Sequence, residues 1–270
     1  DGGRAGVKIY PRQPPVPSRE LAVAERLRAC LKTWARLVPN QWVLSMLRDG
    51  LWLPWEQHNV PTCTEGDASR KRALRLHRRE PGIPAEAVTG ELERLLQQKV
   101  ITSINPQNTR WVSPLTAVSK SGGRIRLCLN LRDLNQRLKY THFKMEGLQT
   151  VRDLLEKDDF MTSIDLKDAY LHVPMAASCV PFLSTEWENK WYCWKALPFG
   201  LADAPRIFTK LMHPVVAGLR EQANIRMIIY LDDILILGRT YKEAIRHTTL
   251  VLQRLQQLGF LVNEEKSELE

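Results

Sequence analysis

An α+β fold is predicted for this 270-residue chain, with a small helical segment ahead of an antiparallel sheet that carries acidic residues. Three observations predict it. Leu21, Ala24, Leu27, Leu31, Trp34 and Leu37 recur at spacings of three and four, the period of an amphipathic helix. From Pro84 onward, apolar and polar residues alternate in segments bounded by Gly, Pro and Asn, the pattern of strands joined by turns. MIIYLDDILIL, residues 227 to 237, sets Asp232 and Asp233 among nine apolar or aromatic side chains, which reads as a hairpin with a tight acidic turn.

Composition sets the limits. A hydrophobic fraction of 44% suits one large or two modest domains with real cores. The apolar runs are far shorter than the roughly 20 residues of a membrane span, and DGGRAGVKIY lacks the apolar stretch of a signal peptide. An intracellular location is therefore expected, in cytoplasm or nucleus, neither secreted nor membrane-bound. Cys30, Cys63, Cys128, Cys179 and Cys193 are odd in number and form no C-x-x-C pair, so reduced thiols are expected and no zinc site. The formal charge of +9 suggests a polyanionic partner. Residues 1 to 80 carry +7 of it, most densely in SRKRALRLHRRE, residues 69 to 80. That run reads equally as a solvated helix or linker, or as a segment that contacts RNA or directs nuclear import.

Along the chain, residues 1–19 form a leader with Pro11, Pro14, Pro15 and Pro17 close together, predicted to be extended. Residues 20–56 form a small helical module, with Ser18 as N-cap of its first helix and a second helix ending at Gly50. Residues 57–83 are polar and basic, and a linker is expected there. AVTGELERLLQQKV (87 to 100) is predicted to be helical. SPLTAVSKSGGRIRLCLNLRDLN (113 to 135) alternates on both sides of Gly122-Gly123, predicting a hairpin with Lys120 and Arg126 near its tip. Basic groups there can hold a phosphate, or simply solvate an ordinary hairpin. FMTSIDLKDAYLHVPM (160 to 175) begins as a strand that ends in Asp165, with Asp168 and Tyr170 just beyond. Asp165 is placed either to reach a metal or ligand or to cap the next segment. In ALPFGLADAPRIFTKLMHPVVAGL (196 to 219), Gly200 allows close backbone approach. Asp203 is a candidate cap for a helix that Pro214 should kink.

Asp-Asp in a turn is common, but two like charges beside a buried hairpin repel unless a cation compensates them. Hard carboxylate oxygens suit Mg²⁺ or Mn²⁺. If Asp165 approached Asp232 and Asp233, the three could hold two ions for phosphoryl or nucleotidyl transfer. His142, His172 and His213 show no ligand spacing and read as packing or surface residues. Trp187, Trp191 and Trp194 read as cross-strand packing of a hairpin more readily than as stacking platforms for bases.

SIDLKDAY, ALPFGLADAPRIF, YLDDILI and LGFLVNEEKS occur in the order and approximate spacing of the palm motifs of reverse transcriptases, and RIRLCLNLRDLN resembles their fingers hairpin. The resemblance covers residues 84 to 270. It implies a right-hand polymerase, with fingers at about 84–140 and 173–200, palm at about 141–172 and 201–270, and no thumb in this chain. ACLKTWARLVPNQWVLSMLRDGLWLPW resembles the segment preceding the polymerase in DIRS-like retrotransposons, which encode a tyrosine recombinase; the competing resemblance is to gypsy-like or pararetroviral polymerases.

The resemblance implies RNA- and DNA-directed DNA synthesis within a retrotransposon polyprotein that also carries ribonuclease H. Its partners are a primed RNA or DNA template and dNTPs, and its cofactors two Mg²⁺ (or Mn²⁺) ions. Asp165, Asp232 and Asp233 match the catalytic metal-binding aspartates, and the carbonyl of Leu166 a further metal ligand. Asp168, Ala169 and Tyr170 match the triphosphate loop, with Tyr170 as the aromatic gate against a 2′-hydroxyl. Lys120 and Arg126 match the basic fingers residues, Lys120 only with a gap in the hairpin. Phe199 and Gly200 match the floor beneath base and template, and Lys266 a general acid for pyrophosphate. The alternatives are a catalytically inactive nucleic-acid-binding fragment of such an element, or a different two-metal phosphotransferase such as a nuclease.

Overall fold

A computed structural model describes residues 21–56, 59–73, 76–120, 123–264 and 267–269. The Pro-rich leader, Ser18 and Lys266 lie outside the described residues. The expected first helix is two short ones, α1 (Val23–Ala29) and α2 (Leu31–Leu37), broken at Cys30. In α3 (Gln41–Asp49) the Asn40 side chain caps the Val43 amide at 3.1 Å, and the helix stops at Gly50.

Within the expected linker, Cys63–Ala73 forms a packed helix, α4. Thr62 and Glu65 form a capping box: the Glu65 carboxylate accepts from the Thr62 amide at 2.8 Å, and the Thr62 hydroxyl from the Glu65 amide at 3.3 Å. The helix lies so close to the 109–111 loop that a Cβ on Gly66 would come 2.5 Å from the Arg110 carbonyl oxygen. Beyond it, the two-residue strand β1 (Arg78–Arg79) continues the basic run.

The helix α5 (Ala85–Gln97) buries Val88, Leu92 and Leu95 at the spacing predicted for one face. Strand β2 (Ile101–Ser103) follows, then the predicted hairpin, β3 (Leu115–Ser119) and β4 (Ile125–Leu129). Its Lys120 amide donates to the Arg124 carbonyl at 2.8 Å. Then come α6 (Arg132–Asn135), α7 (Leu148–Leu154), β5 (Phe160–Asp165) and a tryptophan-rich hairpin, β6 (Ser184–Trp187) and β7 (Lys190–Trp194). The rest is α8 (Ala204–Ala223), β8 (Arg226–Tyr230), β9 (Asp233–Gly238), α9 (Tyr241–Gln257) and β10 (Glu268–Leu269).

Three sheets result: β1-β3-β4, β2-β7-β6 and a central β10-β5-β9-β8. The basic residues 78–79 thus run parallel to β3 as an edge strand of the hairpin sheet. In the central sheet Thr162 and Ile164 are buried, and Thr162 hydrogen-bonds Thr248 of α9 at 2.6 Å. One face is therefore covered by helix, and the other carries the carboxylates. Arg226 on β8 holds Asp159, just before β5, through bonds of 2.6 and 2.8 Å.

Residues 21–56 share their apolar core with the sheets and do not stand as a separate module. Trp34 is fully buried, worth on the order of 3 kcal/mol, and its indole N–H donates to the Leu258 carbonyl at 2.9 Å. Leu51 exchanges backbone bonds with Pro174 and Ala176 at 2.7 and 2.9 Å. Pro214 is accommodated inside the continuous helix α8. Asp203 precedes α8 but does not cap it, since Arg206 grips its carboxylate with two bonds of 2.5 Å.

Candidate active site

Strand β5 ends at Asp165, and Asp233 opens β9 directly opposite it in the antiparallel ladder, so both side chains leave the same face of the sheet. Leu231, at φ +57°, and Asp232 make the two-residue turn between β8 and β9, a left-handed backbone that a leucine rarely adopts. Backbone hydrogen bonds hold the parts together. The Leu166 amide donates to the Asp232 carbonyl at 2.8 Å, the Asn263 amide to the Asp165 carbonyl at 2.8 Å, and the Lys167 amide to the Leu261 carbonyl at 2.9 Å.

Asp165 and Asp232 line one cavity of about 180 Å³, with Leu166, Asp168, Ala169, Tyr170, Phe199, Lys120 and Arg126 also in its wall. An adjoining cavity of about 320 Å³ shares Lys120, Arg124, Arg126, Lys167, Asp168 and Phe199. The volumes suit a ligand of a few hundred Å³, and the basic lining suits an anion.

The expected site residues are not all gathered at the cavity. Asp165 and Asp232 line one cavity while Asp233 lies outside its lining, and among the described residues no group of three or more His, Cys, Asp or Glu forms a single metal site. The reason is local geometry. Asp232 sits in the turn and faces the cavity, whereas Asp233 is already a strand residue, exposed and outside the cavity lining. Asp232 is half-buried and Asp233 exposed. Gly200 lines neither cavity; it backs onto β4, where a Cβ would lie 2.0 Å from the Leu129 carbonyl oxygen. The carboxylate of Asp168, whose backbone is left-handed at φ +51°, is turned toward Arg94 at 3.4 Å.

The aromatic residues are stacked in series. The Arg126 guanidinium lies 4.6 Å over the Phe199 ring, a cation–π contact that orients it. Phe199 is 5.3 Å from Tyr170, and Tyr170 5.7 Å from Phe208. Burial, with Asp232 nearby, pushes the Tyr170 phenol up to about 12, so its hydroxyl stays neutral.

Sequence reasoning missed Arg94, Arg124, Lys167, Asn263 and His172. Arg124 follows the glycine turn and Lys167 follows Asp165 by two, so both lay inside stretches already singled out. Asn263 likewise lies within LGFLVNEEKS, whereas Arg94 carries no local signal. His172, read as an ordinary packing residue, is fully buried beside the site and bonded at both ring nitrogens.

Carboxylate oxygens from Asp165, Asp232 and Asp233 are the hard donors that Mg²⁺ or Mn²⁺ prefer, and two of the three face the cavity, so the donor set fits a divalent ion. The reverse transcriptase (RNA-dependent DNA polymerase) family model matches residues 118–270. The chain belongs to the reverse transcriptase family. As a reverse transcriptase domain it resembles those of retroviral and retroelement polyproteins. It is 28% identical over 193 residues to polyprotein P3 of Commelina yellow mottle virus, covering 68% of this chain and 10% of that protein. To the Gag-Pol polyprotein of avian reticuloendotheliosis virus it is 28% identical over 253 residues, 88% of this chain and 21% of that one. The chain thus spans a tenth to a fifth of these relatives.

In fold, this reverse transcriptase domain is similar to the foamy viral protease-reverse transcriptase in complex with double-stranded DNA, with a TM-score of 0.63, 23% identity, and coverage of 96% of this chain and 46% of that one. The native prototype foamy virus protease-reverse transcriptase gives a TM-score of 0.61 at 22% identity, covering 94% and 34%. The α+β class is therefore established. Among the described residues no helix is long and apolar enough to cross a membrane.

Proposed function

We propose that this domain synthesises DNA on RNA and DNA templates by transferring nucleotides from dNTPs to a primer 3′-hydroxyl. One observation carries the reading: Asp165 from β5 and Asp232 from the β8–β9 turn line one cavity together with the cations Lys120, Arg124, Arg126 and Lys167. Carboxylates and cations around one cavity match a reaction in which a triphosphate loses pyrophosphate while negative charge is redistributed. Residues 84–140 and 173–200 act as fingers, and 141–172 with 201–270 as palm.

Asp165, Asp232, Asp233 and the Leu166 carbonyl would hold two Mg²⁺ (or Mn²⁺) ions, which when bound supply an activated 3′-hydroxyl and neutralise the leaving pyrophosphate. The chain's own groups do the positioning. Arg124, Arg126 and Lys120 engage the phosphates from the hairpin, and Lys167 from the palm side. Asp168, through its Arg94 partner, fixes the turn from which the Ala169 and Tyr170 amides reach the triphosphate. Phe199 shapes the floor by presenting a ring already oriented by Arg126, while Gly200 behind it lets the turn seat against β4. Lys266, outside the described residues, is the proposed proton donor to pyrophosphate.

Tyr170 sets sugar selection, because its ring is held by Phe199 and Phe208 on the side facing the cavity. Tyr170→Val should keep dNTP incorporation within a few-fold while improving rNTP incorporation about tenfold or more, since removing a steric wall is worth on the order of 1–3 kcal/mol. Competing single-nucleotide incorporation measures the ratio; an unchanged ratio would remove Tyr170 from this role.

The finer placement, a DIRS-like element whose polyprotein also carries ribonuclease H, is supported by the tryptophan-rich segment 29–55. The reading as a whole is tested by primer extension with the protein expressed in its own reading frame. Extension on an RNA template is expected only with dNTPs and Mg²⁺ or Mn²⁺. Duplex binding without metal-dependent extension would refute it.

A further inference from the structure

The helices that precede the polymerase motifs press on the back of the nucleotide loop. Helix α1 packs against the turn Ala169–His172. It also meets the 258–261 segment: the Arg26 side chain donates to the Gly259 carbonyl at 2.9 Å, and Trp34 of α2 bonds Leu258. The approach is close enough that a Cβ on Gly259, at φ +96°, would come 2.8 Å from the Arg26 carbonyl oxygen.

His172 stands between these two segments. The Leu261 amide lies 3.2 Å from Nε2, and the Asp168 carbonyl 3.2 Å from Nδ1. An amide N–H can only donate and a carbonyl can only accept. Nε2 is therefore the bare acceptor and Nδ1 carries the proton, so a single neutral tautomer satisfies both bonds. Burial depresses this imidazole to about 4, which keeps that tautomer in place at neutral pH. The ring also packs 5.5 Å from Phe260, which lies 6.0 Å from Trp34.

We propose that the N-terminal helices brace the nucleotide site and that His172 is the positioning residue which conveys the brace, tying the Asp168 carbonyl to the Leu261 amide. Asp168 starts the loop that turns toward the cavity. The 258–263 segment is the one whose Leu261 carbonyl and Asn263 amide bond Lys167 and Asp165. The imidazole therefore sets the spacing between the triphosphate loop and the strand end that carries a catalytic carboxylate. The kinetic part of this inference rests on the polymerase reading, whereas the coupling itself does not.

Two variants test it. His172→Phe keeps a ring against Phe260 but loses both hydrogen bonds; His172→Gln retains an acceptor and a donor. His172→Phe should raise the KM for dNTP about tenfold with kcat changed far less, the mark of lost binding rather than lost chemistry. His172→Gln should recover most of the effect. A side chain that merely fills space would lower the folded fraction and leave KM where it was. Hydrogen exchange gives a readout independent of activity: the Leu261 and Lys167 amides should exchange at least several-fold faster in His172→Phe, and also in Trp34→Phe, which keeps an aromatic ring but loses the bond to Leu258 and part of the packing against Phe260. Unchanged exchange at both amides overturns the inference whether or not the protein extends primers, and so does an unchanged KM in an active enzyme. Absence of extension by the parent protein, with the exchange effect present, refutes the polymerase reading alone.

Discussion

Asp232→Asn is expected to reduce primer extension about a thousandfold or more, a loss on the order of 4 kcal/mol of barrier lowering. The substitution removes one negative charge and leaves the volume almost unchanged. What the fold asks of this position is its carbonyl, which accepts from the Leu166 amide at 2.8 Å, and asparagine supplies that equally well while tolerating a turn. Thermal stability should therefore hold while single-turnover extension fails, separating chemistry from folding. Asp165→Asn should behave in the same way, because Asp165 lines the same cavity and its carbonyl is likewise engaged, by Asn263. Extension by Asp232→Asn at the parent rate would show that the acidic turn is not the catalytic one.

The second large effect is expected on stability. Gly200→Ala should cost on the order of 3 kcal/mol or more. Two penalties coincide there. The backbone has φ +110°, which a side chain disfavours, and the new Cβ would sit 2.0 Å from the Leu129 carbonyl oxygen, a backbone atom that cannot swing aside. Relief requires the 198–201 turn to retreat from β4, which stretches the Leu129 amide bond to the Phe199 carbonyl, now 3.1 Å, and the Asn135 bond to the Gly200 carbonyl, now 2.9 Å. A urea midpoint that falls with an unchanged slope is the expected signature. Because Phe199 moves with this turn, the folded fraction should also bind dNTP more weakly. An unshifted midpoint would mean that the close approach is not maintained in solution.

Gly200 illustrates how far residue patterns reach. Its glycine implied a close approach, and the structure contains one, but the neighbour is the strand β4 rather than a ligand. The same holds for Asp168, legible as a site residue although its carboxylate meets Arg94, 74 residues away. The hairpins, by contrast, were readable nearly to the residue, because a period of two is imposed by neighbours in the chain. Helix α4 was also readable in principle: the Thr62-x-x-Glu65 box marks its start, and the charge of the following run drew the reading toward a linker instead.

Order and spacing along the chain were enough to determine the α+β class and the β8–β9 hairpin with its acidic turn, and the family resemblance implied the pairing of Asp165 with that turn. Each depends on local propensity or on a motif whose parts keep their sequence positions. Only the tertiary structure decided that residues 21–56 share the core with the sheets, that Asp232 faces the cavity while Asp233 does not, and that His172 joins Asp168 to Leu261. The shared core and the tie to Leu261 depend on bonds between residues 89 to 233 positions apart, and the orientation of Asp232 on the exact residue at which the turn gives way to β9. Such contacts leave no period and no local composition to read; they exist only once the elements have been brought together.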